Sequence, residues 1–406
     1  MARIGIDIRN IRKNRTGDEA VFFGLIKGLA KIDAENKYLL FTDITDTTIL
    51  QSIVVSAGIE NKSNFEIISL KCPNRFVWNF WTLPKYLRKN PLDIYLTQYI
   101  TPFFVPKKIH PHTKNTGFFG PMQNLFIKWR IKHFSVGVKI VTIIHDISFK
   151  IYPKFIKFSD LFFLKILIPL SLRRADKIIA VSKFTAEEIK KYYKVDANKV
   201  AWIYNAVSDD FLRQDISPEK ILSVKKKYAL PNEYILYIGT LQPRKNIPVL
   251  IEAYAKIKHK IGAKLIIAGG RGHNFDRRID TAVSKLDLKN DVFFPGFIDE
   301  EDKAAIMKGA RVFCFPSLYE GFGIPILEAM AVGTPVIASD IPPHREIAGE
   351  SALFFEPKSP EDLAGKIQKI FDNPDLGGIL AKKGKSQAQK FSWGKTARNL
   401  IDIIIK

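Results

Sequence analysis

The chain has 406 residues, 46% of them apolar, which is ample for two α/β cores, too many for one, and excludes a disordered protein. Its net charge of +22 is unevenly spread: from Lys71 to Val200 there are 24 Lys or Arg against 7 Asp or Glu, and between Ile94 and His145 no acid at all. Such a field draws polyanions (nucleic acid, anionic lipid headgroups or phosphorylated substrates) unless it serves only to keep the surface solvated.

Along the chain, short apolar runs alternate with helical patterns, the signature of parallel sheets covered by helices. Residues Met1–Asn10 contain a strand, Arg3–Ile8, and lack the apolar core of a signal peptide. The spacing then predicts a helix over Val21–Lys31 and strands over Tyr38–Thr42, Phe65–Leu70, Asp93–Gln98, Lys139–His145, Lys177–Val181 and Val200–Tyr204. Cys72 and Cys314 both lie in apolar sequence, and two buried thiols in so long a chain point to a reducing compartment. Lys107–Lys132 breaks the rhythm. It holds six Lys or Arg, no acid, and an apolar set of Phe118, Phe119, Met122, Leu125, Phe126 and Trp129. With Lys128, Arg130 and Lys132 on the more polar side, that is the composition of a helix lying on an anionic membrane surface. The alternative is that its aromatics pack under the domain. The most apolar run, Leu161–Leu172, is broken by Lys165 and Pro169 and falls short of a membrane span. The expectation is a cytoplasmic chain, peripheral at the inner face of the membrane.

The polar stretch Ser208–Lys220 has few apolar anchors and reads as a domain linker. Beyond it, strands are expected over Tyr234–Gly239, Lys264–Ala268, Val292–Phe294, Val312–Phe315, Pro335–Ala338 and Ala352–Phe355. Helices are expected over Ile247–His259, Glu300–Lys308, Pro325–Val332 and Glu361–Phe371.

Two constellations carry chemistry. After the strand ending at Gly239 comes a loop with Arg244 and Lys245, and then Asn246, placed to cap the next helix. Free N–H groups at a helix start and two cations suit a diphosphate at the carboxyl end of a parallel strand. A solvated pair of loop charges would look the same. The second constellation runs from the strand at Phe313 through a Gly-rich turn into a helix. Gly321 and Gly323 allow close backbone approach, and Pro325 suits a first helical turn. Glu320 and Glu328, eight residues apart, are acceptors fitted to sugar or ribose hydroxyls. Glu328 is read as an exposed helix residue or, given its apolar neighbours Leu327, Ala329 and Met330, as a carboxylate with a partner.

Taken together, the Arg244-Lys245-Asn246 loop, the Glu320-Gly321-Phe322-Gly323…Glu328 element and Gly333–Asp340 resemble glycosyltransferase family 4, the two-domain, Rossmann-like type. So do His145-Asp146 after a strand, Ala180–Ser182, and Phe391–Trp393 before the last helix. The likeness covers nearly the whole chain. It implies an α/β fold with two Rossmann-like domains facing across a cleft (GT-B type): residues 1–210 for the acceptor, 221–390 for the donor, and 391–406 a helix, Lys395–Ile405, crossing back to the first domain. It further implies that Arg244 and Lys245 hold the donor diphosphate and that Glu328 binds the ribose. Glu320, with Gly321 and the backbone of Phe322 and Gly323, would hold the sugar, and His145 would stand at the transferring sugar across the cleft. The family often shows a Gly-x-Gly turn after its first strand. Here Gly17 is present and would lie at the donor phosphates, but Glu19 stands where the second glycine is expected, and a carboxylate there would repel a diphosphate.

The reaction so implied is retaining transfer of a hexose, mannose or glucose, from a nucleoside-diphosphate sugar to a glycan or lipid-linked acceptor in surface polysaccharide assembly. Neither a metal nor a cofactor is expected, and nucleic acid is not expected as a partner, since the cations lack a nucleic-acid motif. The rival readings are a sugar-nucleotide epimerase or a pyridoxal-dependent phosphorylase of the same fold, and a non-catalytic basic binding protein.

Overall fold

The computed structural model describes residues 1–11, 17–105, 137–156, 158–213, 215–272 and 274–405. The segment Lys107–Lys132 lies outside them, as do Arg15 and Thr16 before Gly17. Seven strands form one parallel sheet: β1 (Arg3–Asp7), β2 (Lys37–Thr42), β3 (Phe65–Ser69), β4 (Ile94–Gln98), β5 (Lys139–Ile144), β6 (Lys177–Ala180) and β7 (Val200–Trp202), in the order β3-β2-β1-β4-β5-β6-β7. Six more form a second: β8 (Tyr234–Ile238), β9 (Lys264–Ala268), β10 (Val292–Phe293), β11 (Val312–Phe315), β12 (Val336–Ser339) and β13 (Leu353–Phe355), in the order β10-β9-β8-β11-β12-β13. The central strands are runs of Ile, Leu, Val, Phe and Tyr because helices cover both faces, and all five residues of β8 are buried. In each sheet the winding direction reverses once, between β1 and β4 and between β8 and β11. Open α/β sheets bind ligands beyond the carboxyl ends of the strands at such a reversal. Both layers are the Rossmann-like arrangement that the resemblance implies.

The stretch Ser208–Lys220 differs from its expected character. It forms the helix Asp209–Arg213 and begins another, Pro218–Lys227, while Val207 and Phe211 are buried. A single aromatic can anchor a short segment that averages polar, because one buried ring outweighs several solvated neighbours. Cys314 is buried in β11, whereas Cys72 is only partly buried, with its Sγ 3.1 Å from the Asn74 carbonyl oxygen.

The chain returns to the first domain at its end. Val207 pairs with Ser392 in an isolated bridge, and the helix Trp393–Ile405 lies along the helix Gly17–Ile32. The approach is close enough to demand glycine. A Cβ on Gly24 would fall 2.0 Å from Trp393 Cε2, and one on Gly28 2.3 Å from the Trp393 carbonyl oxygen. Thr396 Oγ1 also donates to the Tyr204 carbonyl, at 2.7 Å. Replacing Trp393 with Ala should empty that slot and cost about 3–5 kcal/mol. Urea unfolding followed by circular dichroism measures it, and an unchanged midpoint would show that the crossover adds no stability.

Candidate functional site

The loops at the carboxyl ends of β8 and β11 bring Arg244, Lys245 and Glu320 together. A short 3₁₀ turn, Pro243–Lys245, follows β8, and the Leu318 N–H donates to the Arg244 carbonyl at 2.8 Å, tying the two loops. Arg244 Nη1 donates to Glu320 Oε2 at 3.0 Å and to the Tyr319 carbonyl at 3.1 Å. Lys245 Nζ donates to Glu320 Oε1 at 2.5 Å and stands 5.0 Å from the Phe315 ring. Burial alone would raise the Glu320 carboxyl, but Arg244 and Lys245 overcome that and hold it well below the usual carboxylate range. Burial and the adjacent Arg244 push the Lys245 ammonium down to about 8, against the pull of Glu320. Two cations share one carboxylate, and Asp146 of the first domain adds its charge to both.

Asn246 departs from its expected role. It sits at the start of the helix Ile247–Ile261 with φ +56°, and its side chain makes no capping bond. Its Nδ2 instead donates to the Pro357 carbonyl at 2.8 Å, so this helix start is left without a side-chain cap. Glu328, in the helix Ile324–Ala331, is buried rather than exposed. Lys303 Nζ lies 2.7 Å from its Oε1 and 2.6 Å from its Oε2. Burial, opposed by Lys303, keeps this carboxyl above its ordinary range.

The first domain presents His145 at the end of β5. The imidazole Nε2 lies 2.9 Å from the side-chain amide of Gln98. Nδ1 faces Asp18, 3.9 Å away, in the first turn of the helix that Gly17 opens. Tyr99, next to Gln98, holds φ +54°, a left-handed conformation costly for a bulky residue and common at functional sites. Glu19 is buried in the same helical turn, and a Cβ on Gly17 would meet nothing within 4 Å.

The two halves meet at Gly321. A Cβ there would fall 1.7 Å from the His145 carbonyl oxygen and 3.1 Å from Asp146 Cβ, so the close approach this glycine permits is to the backbone of the other domain. Its own carbonyl accepts from Ser182 Oγ at 2.6 Å and Thr185 Oγ1 at 3.1 Å. Phe322 is buried beside Tyr204 and Phe391, and Gly323 takes φ +117° at the start of its helix. Across the same seam, the N–H groups of Lys183 and Phe184 donate to the two carboxylate oxygens of Glu346, at 2.7 and 2.9 Å. A carboxylate from the second domain thus caps the helix Lys183–Tyr193 of the first. Sequence reasoning misses Gln98, Asp18, Ser182 and Glu346 as site residues. Their only signal is position at strand ends and helix starts.

With this geometry in place, comparison with known proteins is informative. Residues 19–211 match the family described as Glycosyltransferase Family 4, and residues 220–390 match Glycosyl transferases group 1. Over 327 residues the chain is 30% identical to O-antigen chain mannosyltransferase B of Escherichia coli, covering 80% of this chain and 83% of that one. A stretch of 232 residues, 56% of this chain, is 33% identical to the serotype-specific mannosyltransferase WbdA of Escherichia coli, and spans 28% of that protein's length. The fold superposes on the Anabaena protein HepE, solved with UDP and glucose, at a TM-score of 0.72 and 17% identity, covering 100% of each chain.

The Gly321 contact makes a prediction. Gly321→Ala places a methyl where the His145 carbonyl lies, so the halves cannot approach as they do here. Small-angle scattering should show a larger radius of gyration than the parent's. An unchanged radius would mean the approach is not sterically set at this residue.

Proposed function

The chain belongs to the two-domain glycosyltransferases of family 4, and on that premise we propose that it transfers a hexose from a nucleoside-diphosphate sugar with retention of the anomeric configuration. The observation that carries the reading is the Arg244–Lys245–Glu320 cluster, with Lys245 and Glu320 buried and Arg244 partly so, at the reversal of the second sheet, opposite His145. Two adjacent cations suit a diphosphate, whose charge grows as the glycosidic bond to the sugar breaks. Arg244 and Lys245 stabilise that growing charge. The acceptor hydroxyl attacks the anomeric carbon from the face the diphosphate leaves, and the departing phosphate oxygen takes its proton. Glu320, with the turn Gly321–Gly323, holds the sugar hydroxyls. Glu328, kept in place by Lys303, receives the ribose. His145 faces the transferring sugar. In this reading the two cations meet the diphosphate charge, and neither a divalent ion nor a cofactor takes part.

Mannose is the sugar we assign, because the Escherichia coli relatives are named mannosyltransferases, and the acceptor is a glycan or lipid-linked saccharide of surface polysaccharide assembly. The enzyme would then work from the cytoplasm as a peripheral protein on an anionic membrane. Among the described residues, no helix is long and apolar enough to cross one.

Three measurements test the reading. Lys245→Ala should lower kcat/KM by the equivalent of about 2–4 kcal/mol with the fold intact, and a fully active variant would remove the diphosphate assignment. Glu328→Gln should weaken binding of nucleoside diphosphate and sugar nucleotide alike by roughly 1–3 kcal/mol in calorimetry; unchanged affinity would place the ribose elsewhere. For the free enzyme, kcat/KM should fall as pH rises through about 8, where Lys245 loses its proton. Lys245→Arg, which stays charged, should carry that limb to higher pH, and an unmoved limb would assign it to another group.

A further inference from the structure

One face of the first domain exposes a row of apolar side chains, although the helix that carries it also buries Ile168 and Leu172 on its inner side. The helix Phe158–Arg174 turns Phe162, Phe163, Ile166 and Leu170 outward, each at least 40% exposed. These positions are spaced as one stripe along a helix. The buried side of the same turns includes a serine, Ser171, whose Oγ accepts from the Thr101 N–H at 3.0 Å. The stripe continues onto a second element, since Phe163 packs edge-on against Phe76 at 5.2 Å. Beyond Phe76 the chain exposes Trp81 at 69%, its ring 6.5 Å from that of Phe104, itself 54% exposed. Isolated exposed hydrophobes need no explanation, but a contiguous set of aromatic and aliphatic side chains marks an interaction surface.

The face is rigid. Arg174 Nε donates to the Pro102 carbonyl at 2.7 Å, and its Nη2 to the Val105 carbonyl at 2.5 Å, which pins the loop carrying Phe104 to the helix. Phe103 N–H also donates to the Asn79 carbonyl at 3.2 Å.

Charge selects the partner. From Lys71 to Leu92 there is no acid, and Lys71, Arg75, Lys85, Arg88 and Lys89 are all at least partly exposed. Lys165 and Arg173 add exposed cations along the helix, whose single acid, Asp160, is only partly exposed. A second copy of the chain meeting this face symmetrically would oppose cation to cation. A nucleic acid would satisfy the cations but leave the apolar stripe in water. An apolar interior beneath an anionic surface satisfies both. We propose that this face is a docking surface for an anionic lipid bilayer.

The proposal deepens the membrane-facing part of the reading above and stands apart from its donor chemistry. It also fixes an orientation. The pinned loop continues directly from Gln98 and Tyr99, and Gln98 is the hydrogen-bond partner of His145. The bilayer would therefore lie beside the domain that faces the acceptor, on the side from which a lipid-linked saccharide arrives.

Co-sedimentation of the full chain with phosphatidylglycerol–phosphatidylcholine vesicles, and with phosphatidylcholine alone, tests this. Binding should require the anionic lipid and weaken with salt. The triple variant Trp81→Ser, Phe162→Ser, Ile166→Ser should lower partitioning on the order of tenfold, as should Arg75→Glu, Lys85→Glu, Arg88→Glu. Both should keep the parent's melting temperature, its nucleotide affinity in calorimetry, and any transfer to a water-soluble acceptor. Absence of transfer in the parent would count against the glycosyl-transfer reading and leave the vesicle result standing. The proposal is overturned if the parent fails to bind anionic vesicles at low salt, or if the variants bind as the parent does. It is equally overturned if the parent is a dimer that the apolar variant splits without any vesicle effect. A large fall in melting temperature without a vesicle effect would show the face covered by the chain itself, and would overturn the proposal too.

Discussion

A carboxylate buried between two cations governs the geometry of the second domain's site. Glu320 has almost no contact with water, and an isolated carboxylate there would cost several kcal/mol. Arg244 and Lys245 make its burial tolerable, and they come from a different strand end, so the loops after β8 and β11 must meet. Burial first, and the neighbouring Arg244 second, depress the Lys245 ammonium against the pull of Glu320 and Asp146. The same contacts that let the loops fold together set two cations side by side at the carboxyl ends of β8 and β11.

The second constraint is steric and lies between the domains. Gly321 follows Glu320 directly, and its missing side chain is what lets the His145 backbone come up against the loop after β11. The Gly321 carbonyl, taken by Ser182 and Thr185, and the Glu346 carboxylate, taken by two N–H groups of the same helix, register the halves against one another. Aromatic contacts join these polar ones across the seam: the Tyr319 ring lies 5.7 Å from that of Phe184, and the Phe322 ring 6.1 Å from that of Tyr204. The crossing helix is held by a buried Trp393 seated on two glycines.

Much of this was legible in the sequence because the information is local. The strand runs are apolar over their full length, and Arg244-Lys245 and Glu320–Glu328 each lie within one loop–helix unit whose spacing survives folding. What was not legible depends on contacts distant in sequence. Gln98 is an ordinary strand end until β5 places His145 beside it. Ser182 and Glu346 acquire meaning only when the other domain arrives. Asn246 has the composition of a helix cap, but the backbone turns left-handed there and the Pro357 carbonyl claims its amide. Phe211 was hidden by its polar neighbours. The outward stripe of Phe158–Arg174 was visible only as an apolar run, since composition does not reveal which side of a helix faces water.

The most direct test of the account is how Glu320→Gln divides binding of the nucleotide from binding of the sugar. If Arg244 and Lys245 hold the diphosphate while Glu320 positions them and the sugar, calorimetry should find nucleoside diphosphate affinity preserved or raised, because a competing anion is gone. The extra affinity of the intact sugar nucleotide over its nucleoside diphosphate should disappear, and transfer with it. Loss of nucleoside diphosphate binding in a folded variant, or full retention of sugar-nucleotide binding and transfer, would contradict the account.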